Sequence, residues 1–231
     1  MKDRFKKAKL ARANFGIILA AGRGTRFGKL KQFVRVRAKP LLYYSLRAFE
    51  LCPAVSEYVV VTNPEKISLV RRMVRDFRAQ KVRMIVPGGP QRMDSVAAGL
   101  KVLPESGYVA LHDAARPLIV PEMLSQGFQA VQKSRAVTFG GPLTDTVKEL
   151  RGNRIIRTLE RKNLVATQTP QFFELELLRR AYARLQKEQL LVTDECQAVE
   201  FIGIQPVVLI NPRLNLKVTY PADLTLCEAL L

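Results

Sequence analysis

Three glycines, Gly22, Gly24 and Gly28, fall in the stretch Ala20-Ala21-Gly22-Arg23-Gly24-Thr25-Arg26-Phe27-Gly28, directly after the apolar run Phe15–Leu19. Glycine lets backbone N–H groups approach an anion closely, and successive N–H groups form a nest that fits phosphate. Arg26 and Lys31 add cationic donors of the kind a triphosphate needs. The spacing excludes two familiar phosphate loops. A dinucleotide fingerprint reads GxGxxG, whereas these glycines read GxGxxxG. A P-loop reads GxxxxGK[ST], but Gly24 and Gly28 stand too close together and Leu30 follows Lys29. The loop is therefore a phosphate binder of another kind, or a plain structural turn.

Other residues suited to chemistry follow later apolar runs. Asp113 and Arg116, in His112-Asp113-Ala114-Ala115-Arg116-Pro117, come just after Tyr108–Leu111. A carboxylate past the end of a parallel strand is well placed for a metal, although Asp113 and Arg116 also read as an internal ion pair. His112, the chain's one histidine, reads as structural. Asp94-Ser95 reads as a helix cap that also touches a ligand, and Thr193-Asp194-Glu195 as a second cap. Lys217 lies between the apolar Leu216 and Val218. The three cysteines, Cys52, Cys196 and Cys227, fit no CxxC spacing. They predict reduced thiols in a cytoplasmic protein and argue against a His/Cys metal site.

The elements that must position these residues alternate. Strands are predicted at Phe15–Leu19, Tyr58–Thr62, Val82–Val86, Tyr108–Leu111, Ala136–Phe139 and Val207–Ile210. Helices are predicted at Pro40–Leu51, Pro64–Phe77, Asp94–Val102, Pro121–Lys133, Glu174–Lys187 and Pro221–Leu230. Short connections between them imply an α/β, Rossmann-like fold with a mostly parallel mixed sheet flanked by helices. Ligands of such sheets bind beyond the carboxyl ends of the strands. That rule brings Ala20–Gln32, Pro87–Arg92 and His112–Pro117 to one site. From about 142 to 170 the pattern breaks into short polar and β-prone pieces, read as an inserted β-arm, so 15–231 forms one domain behind a basic tail at 1–14.

Leu19–Phe27, with Lys31-Gln32-Phe33 close behind, resembles the signature of the sugar-phosphate nucleotidyltransferases. Asp94–Leu100, His112–Pro117, Asp145–Lys148, Thr169–Gln171, Thr193–Glu195 and Leu216–Thr219 narrow the resemblance to the 2-C-methyl-D-erythritol 4-phosphate cytidylyltransferases of the non-mevalonate isoprenoid pathway. It runs from about Phe15 to the end. It implies transfer of the cytidylyl group of CTP to a sugar-alcohol phosphate, with Mg²⁺ or another divalent cation as cofactor. A phosphate oxygen of the acceptor would attack the α-phosphorus and pyrophosphate would leave. That oxygen is already anionic, since the second pKa of a phosphate monoester is roughly 6, so no general base is required.

Residue by residue, the resemblance implies that Arg26 and Lys31 hold the triphosphate and stabilise the transition state. Ala20, Ala21, Gly22 and Ala114 would line the nucleotide, Gly88, Gly89 and Ser95 would face the cytosine, and Asp113 would lie beside the metal and α-phosphate, next to Lys217. Arg116, Thr146 and Lys217 would grip the acceptor. The arm would swap across a homodimer, so that Arg161 reaches the partner's substrate. Pro90 departs from the family pattern, which usually has an acidic residue after Gly88-Gly89.

Two other readings set the contrast. A ribitol-5-phosphate cytidylyltransferase would share the glycine loop and differ in the acceptor pocket around Arg116, Thr146 and Arg161. The net charge of +18 would also suit a nucleic-acid binder. Against that, the chain has no helix-turn-helix, RRM or zinc pattern, an aromatic content of only 7%, and basic residues spread along its length. No membrane association is expected, because apolar runs such as Phe15–Ala21 fall well short of the roughly 20 residues a span needs. Nor is a signal peptide expected, since the basic start leads into no apolar core with a cleavage site.

Overall fold

Strand β1 (Asn14–Ala20) is buried almost throughout, and this explains its uninterrupted apolar sequence. Ile17 and Leu19 enter one core, and Ile18 and Ala20 enter another on the opposite face. The computed structural model describes residues 12–231. Most of the basic tail expected at 1–14 therefore lies outside the described residues.

After β1 come a two-residue pair, β2 (Arg35–Val36) and β3 (Lys39–Pro40), then α1 (Leu41–Leu51), β4 (Glu57–Thr62), α2 (Ile67–Phe77), β5 (Val82–Pro87) and α3 (Arg92–Lys101). The second half holds β6 (Tyr108–Asp113), α4 (Pro121–Ser134), β7 (Ala136–Pro142), β8 (Lys148–Arg151), β9 (Arg154–Thr158), β10 (Val165–Glu174), α5 (Leu175–Glu188), α6 (Glu195–Glu200), β11 (Val207–Ile210) and α7 (Asp223–Leu230). The main sheet runs β11-β7-β10-β6-β1-β4-β5. Neighbours are parallel except at β10, which is antiparallel to both β6 and β7. Helices α3, α5 and α6 pack on one face and α1, α2 and α4 on the other. Chain order runs outward from β1 through β4 to β5 and then returns to β6 on β1's other side. The reversal opens a crevice at the carboxyl ends of β1 and β6.

Strand β10 was missed by the sequence pattern, which assigned Val165–Pro170 to the arm. Its polar run Thr167-Gln168-Thr169 and its proline disguise it. Pro170 has no N–H to give a ladder and falls where the β7–β10 register shifts, between Gln168 and Gln171, a position that tolerates proline. Between Pro142 and Val165 the chain leaves the main sheet, and β8 and β9 form an exposed antiparallel hairpin there. Helix α3 begins at Arg92, two residues earlier than expected, because Gln91 and Asp94 form a reciprocal capping box. Asp194 caps α6, accepting from the Gln197 N–H at 3.0 Å.

Helix α4 lies close to β10 because Gly127 faces Phe172. A Cβ at Gly127 would sit 2.1 Å from the Phe172 ring, and that ring stacks edge-on against Phe128 with centroids 5.1 Å apart. Overpacking costs about 1–3 kcal/mol, more than the roughly 1 kcal/mol that alanine contributes to helix propensity. Gly127→Ala is expected to lower the urea midpoint without changing the slope, as an equilibrium unfolding curve would show.

Candidate active site

The loop after β1 is fixed from both ends. Gly24 takes a left-handed φ of +65°, and a Cβ there would lie 2.0 Å from the Lys29 carbonyl oxygen. Its own carbonyl accepts from the N–H groups of Phe27 and Gly28, each at 2.9 Å. Buried Gln32 donates through Nε2 to the carbonyls of Ala20 at 2.7 Å and Gly22 at 3.1 Å, and to Asn63 Oδ1 at 3.0 Å. Asn63 donates in turn to the Ala21 carbonyl at 2.9 Å. Three consecutive carbonyls are thus held by two side chains.

The opposite wall begins where β5 ends. A Cβ on Gly88 would lie 2.3 Å from the Ala21 Cβ, and one on Gly89 would lie 2.3 Å from the Asp94 Cβ. Both glycines are close-approach residues that let this loop lean against the first. The Gly89 N–H donates to Ser95 Oγ at 3.3 Å.

Asp113, at the end of β6, is the electrostatic centre of the cleft. Lys217 Nζ donates to its Oδ2 at 2.6 Å and Arg92 Nε to its Oδ1 at 3.2 Å. Burial by itself pushes the carboxyl up, but Arg92 and Lys217 outweigh it and hold the group well below the usual carboxylate range. Arg92 is anchored from behind. Its Nη1 donates to both oxygens of the fully buried Glu195, at 2.6 and 2.8 Å, and the Tyr182 hydroxyl donates to Glu195 Oε1 at 3.0 Å. Lys31 faces Lys217 and Arg26. Partial burial lowers its ammonium below the ordinary lysine value, and those two cations lower it further.

Of the residues singled out in the sequence, Ala20, Ala21, Gly22, Arg26, Lys31, Gly89, Ser95, Asp113 and Lys217 line this one cleft. Gly88 packs behind the wall, Ala114 is fully buried and Ala115 lines the cleft in its place. Arg116 is turned toward the Asn215 carbonyl, which accepts from its Nη1 at 2.7 Å. Thr146 and Arg161 belong to the excursion and do not line the cleft. Arg161 Nη1 donates to the Thr144 carbonyl. His112 is not in the cleft either. Its Nε2 lies 3.2 Å from the Arg116 carbonyl and its Nδ1 3.4 Å from Thr169 Oγ1. Sequence reasoning gave no role to Arg92. Its presence in the stretch Pro87–Arg92 was the only signal, because the partner that fixes it lies on another helix. Pro90 lines the cleft at the position where an acidic residue was expected.

Among the described residues, no three His, Cys, Asp or Glu side chains come together as a metal cage. Among the described residues the cleft offers a single carboxylate, Asp113. That donor set fits Mg²⁺, which takes one or two carboxylates along with substrate phosphates and water. It does not fit a structural zinc site.

Cations gathered at the switch point of a parallel sheet, around one ionised carboxylate and beside a tight glycine loop, suit the joining of two phosphate anions. The chain's one histidine is buried within β6 and does not line the cleft. These features define a nucleotidyltransferase. A profile of the 2-C-methyl-D-erythritol 4-phosphate cytidylyltransferase family matches residues 15–231. The enzyme of that name from Acidobacterium capsulatum is 38% identical over 225 residues, covering 92% of this chain and 94% of that one. The one from Halalkalibacterium halodurans is 35% identical over 217 residues, covering 93% and 95%. The solved 4-diphosphocytidyl-2C-methyl-D-erythritol synthase of Anaerococcus prevotii superposes with a TM-score of 0.84 at 26% identity, covering 94% of this chain and 95% of that one. The Francisella tularensis 2-C-methyl-D-erythritol 4-phosphate cytidylyltransferase gives 0.80 at 28% identity, covering 95% and 100%. The chain belongs to the 2-C-methyl-D-erythritol 4-phosphate cytidylyltransferase family.

Two outcomes follow from the buried charges. Arg92→Met leaves Glu195 without its cation and is expected to cost about 3–5 kcal/mol. Adding Glu195→Leu should recover most of that loss, as urea unfolding of the four proteins in the cycle would show. Burial lowers His112 to about 3, below its unfolded value of roughly 6.5. Between those values the unfolded chain binds a proton that the native chain does not, so stability falls as pH falls. The expected slope between pH 6 and 5 approaches roughly 1.4 kcal/mol per unit, and His112→Gln should flatten it in denaturation curves taken across that range.

Proposed function

We propose that this chain transfers the cytidylyl group of CTP to 2-C-methyl-D-erythritol 4-phosphate, giving 4-diphosphocytidyl-2-C-methyl-D-erythritol and pyrophosphate. The observation that carries this reading is the convergence of Arg26, Lys31 and Lys217 on one cleft around the ionised Asp113. An acceptor phosphate oxygen forms a bond to the α-phosphorus as the bond to the bridging oxygen of the departing pyrophosphate breaks. Both reactants are anions, so the barrier is lowered by positioning and by charge stabilisation rather than by proton transfer.

In this reading Arg26 and Lys31 hold the triphosphate and take up charge as pyrophosphate leaves. Ala20, Ala21 and Gly22 line the nucleotide, with Gly89 and Ser95 toward the cytosine, Gly88 supporting that wall from behind and Ala114 backing Asp113. Asp113 is the residue that would hold Mg²⁺, sharing its carboxylate with Lys217 and Arg92. When bound, the ion would neutralise phosphate charge and orient the triphosphate. Lys217 lies at the junction of the two substrates, and Arg116, Thr146 and Arg161 serve the acceptor, Arg161 from the neighbouring subunit of a homodimer that shares its arm. The dimer is supported by the apolar surface on and beside the excursion. Leu150, Ile155 and Ile156 are exposed there, as is Ile210 on the edge strand β11, and such edges are normally covered. A cytoplasmic setting is supported by three buried, unpaired thiols.

The test is pyrophosphate release with CTP and Mg²⁺, with UTP and ribitol 5-phosphate as alternative partners. Release with CTP and methylerythritol phosphate alone is expected, and release only with ribitol 5-phosphate would move the acceptor assignment. Arg26→Ala should lower kcat roughly 10²–10³-fold, and a folded variant with an unchanged rate would overturn its role. Arg161→Ala should act chiefly on KM for the acceptor. Hybrid dimers of Arg161→Ala with an inactive Lys31→Ala chain should regain some activity, and their failure to do so despite subunit exchange would sink the shared arm.

A further inference from the structure

A second concavity lies behind the turn that carries Lys31. Phe33, two residues beyond Lys31, forms part of its wall, while Lys31 and Gln32 face the active-site cleft. The concavity runs between α1, α2 and the β2–β3 turn and encloses about 520 Å³, within the roughly 300–1,000 Å³ of small-ligand sites. Its floor is apolar. Leu46 at the bottom is fully buried, and Tyr43, Met73 and Phe77 make up much of the rest. Tyr43 meets Phe77 edge to face, with centroids 5.2 Å apart.

The rim is predominantly cationic. Arg35, Lys39, Arg72 and Arg78 surround the floor with Asp76 as the single carboxylate among the lining residues. Asp76 lies 3.7 Å from Arg75, and among the described residues none of the four rim cations has an ion-pair partner. Two of them are brought there by unusual backbone. Arg78 takes a left-handed φ of +55°, which ends α2 and carries the arginine to the groove, and Lys39 follows Arg37 and Ala38, left-handed at +46° and +63°. Lys39 Nζ stands 5.3 Å from the centre of the Tyr43 ring, so a cation and an aromatic face already meet at the mouth. An apolar floor beneath an unpaired cationic rim is complementary to a molecule with an apolar ring at one end and a phosphate at the other.

We infer that this groove binds a small amphipathic phosphate, one apolar ring system bearing a phosphomonoester, at a site separate from the cleft that handles CTP. The ring rests on Tyr43, Met73 and Phe77 while the phosphate meets Lys39 and Arg72.

The test is isothermal titration of the full chain with 1-naphthyl phosphate, 1-naphthol and inorganic phosphate, each with and without saturating CTP. One saturable site per chain is expected for 1-naphthyl phosphate, at least tenfold tighter than for either fragment and unchanged by CTP. Arg72→Glu combined with Lys39→Glu should weaken it at least tenfold, while the thermal midpoint and CTP affinity stay as they were. Arg35→Glu alone should weaken it in the same direction. Displacement by CTP would place the probe in the active-site cleft and overturn the inference. Affinity no better than that of inorganic phosphate, or indifferent to the rim variants, would overturn it as well. These readouts use binding only, so they stand or fall independently of whether the chain turns over methylerythritol phosphate.

Discussion

Asp113 is withdrawn from water at the end of a central strand, and an isolated carboxylate there would cost several kcal/mol. It stays ionised because Arg92 reaches it from α3 and Lys217 from the segment before α7. Arg92 is in turn held by Glu195 on α6, which Tyr182 on α5 also binds. The result is a chain of alternating charge, dry at the Glu195 end and open to the cleft at the Lys217 end. Five parts of the sequence must be in place before any one of these groups is tolerable. The site is therefore a condition of the fold around it and not an ornament on a finished scaffold.

The cleft carries an excess of positive charge that its own carboxylate does not neutralise. Lys31 has its ammonium held below its usual range by burial and by Lys217 and Arg26. An anion beside these cations relieves the repulsion, which is why the arrangement favours phosphate. The two glycine-bearing loops keep this arrangement narrow. Gly88 and Gly89 allow contact distances that no Cβ would permit, and Gln32 and Asn63 fix the carbonyls of Ala20–Gly22. Preorganisation of this kind reduces the reorganisation that charge transfer between phosphates would otherwise require.

Much of this could be read from local patterns. Buried parallel strands show as apolar runs, amphipathic helices show their period, and turn chemistry marks the glycine loop with Arg26 and Lys31 beside it and Asp113 past the end of a strand, whereas Ala20–Gly22, Ser95 and Lys217 are singled out by the resemblance; all of them line one cleft. What escaped depends on distant partners. Arg92 sits in a loop segment already singled out, yet its importance comes from Glu195, 103 positions away. Strand β10 escaped because buried polar groups, such as Thr169 donating toward His112 and Gln171 toward Asp194, replace the expected apolar pattern. The positions of Gly88, Ala114 and Arg116 relative to the cleft depend on side-chain direction, which a motif does not encode.

The basic composition has a structural explanation of the same kind. With 38 Lys and Arg against 20 Asp and Glu, carboxylates cannot serve every cation, and several long side chains seal backbone carbonyls instead. Arg179 Nη2 donates to the carbonyls of Leu100, Leu103 and Pro104 at 2.7, 2.9 and 3.1 Å, closing the carboxyl end of α3. Arg83 does the same for Val102, Lys81 for Cys52 and Arg184 for Phe201. A guanidinium at a helix carboxyl end satisfies orphan acceptors and complements the helix dipole. Arg26 and Lys31 instead line the cleft. The cations thus serve different ends: Arg179, Arg83, Lys81 and Arg184 close the fold on carbonyls, Arg26, Lys31 and Lys217 line the cleft, and Arg35, Lys39, Arg72 and Arg78 rim the second concavity.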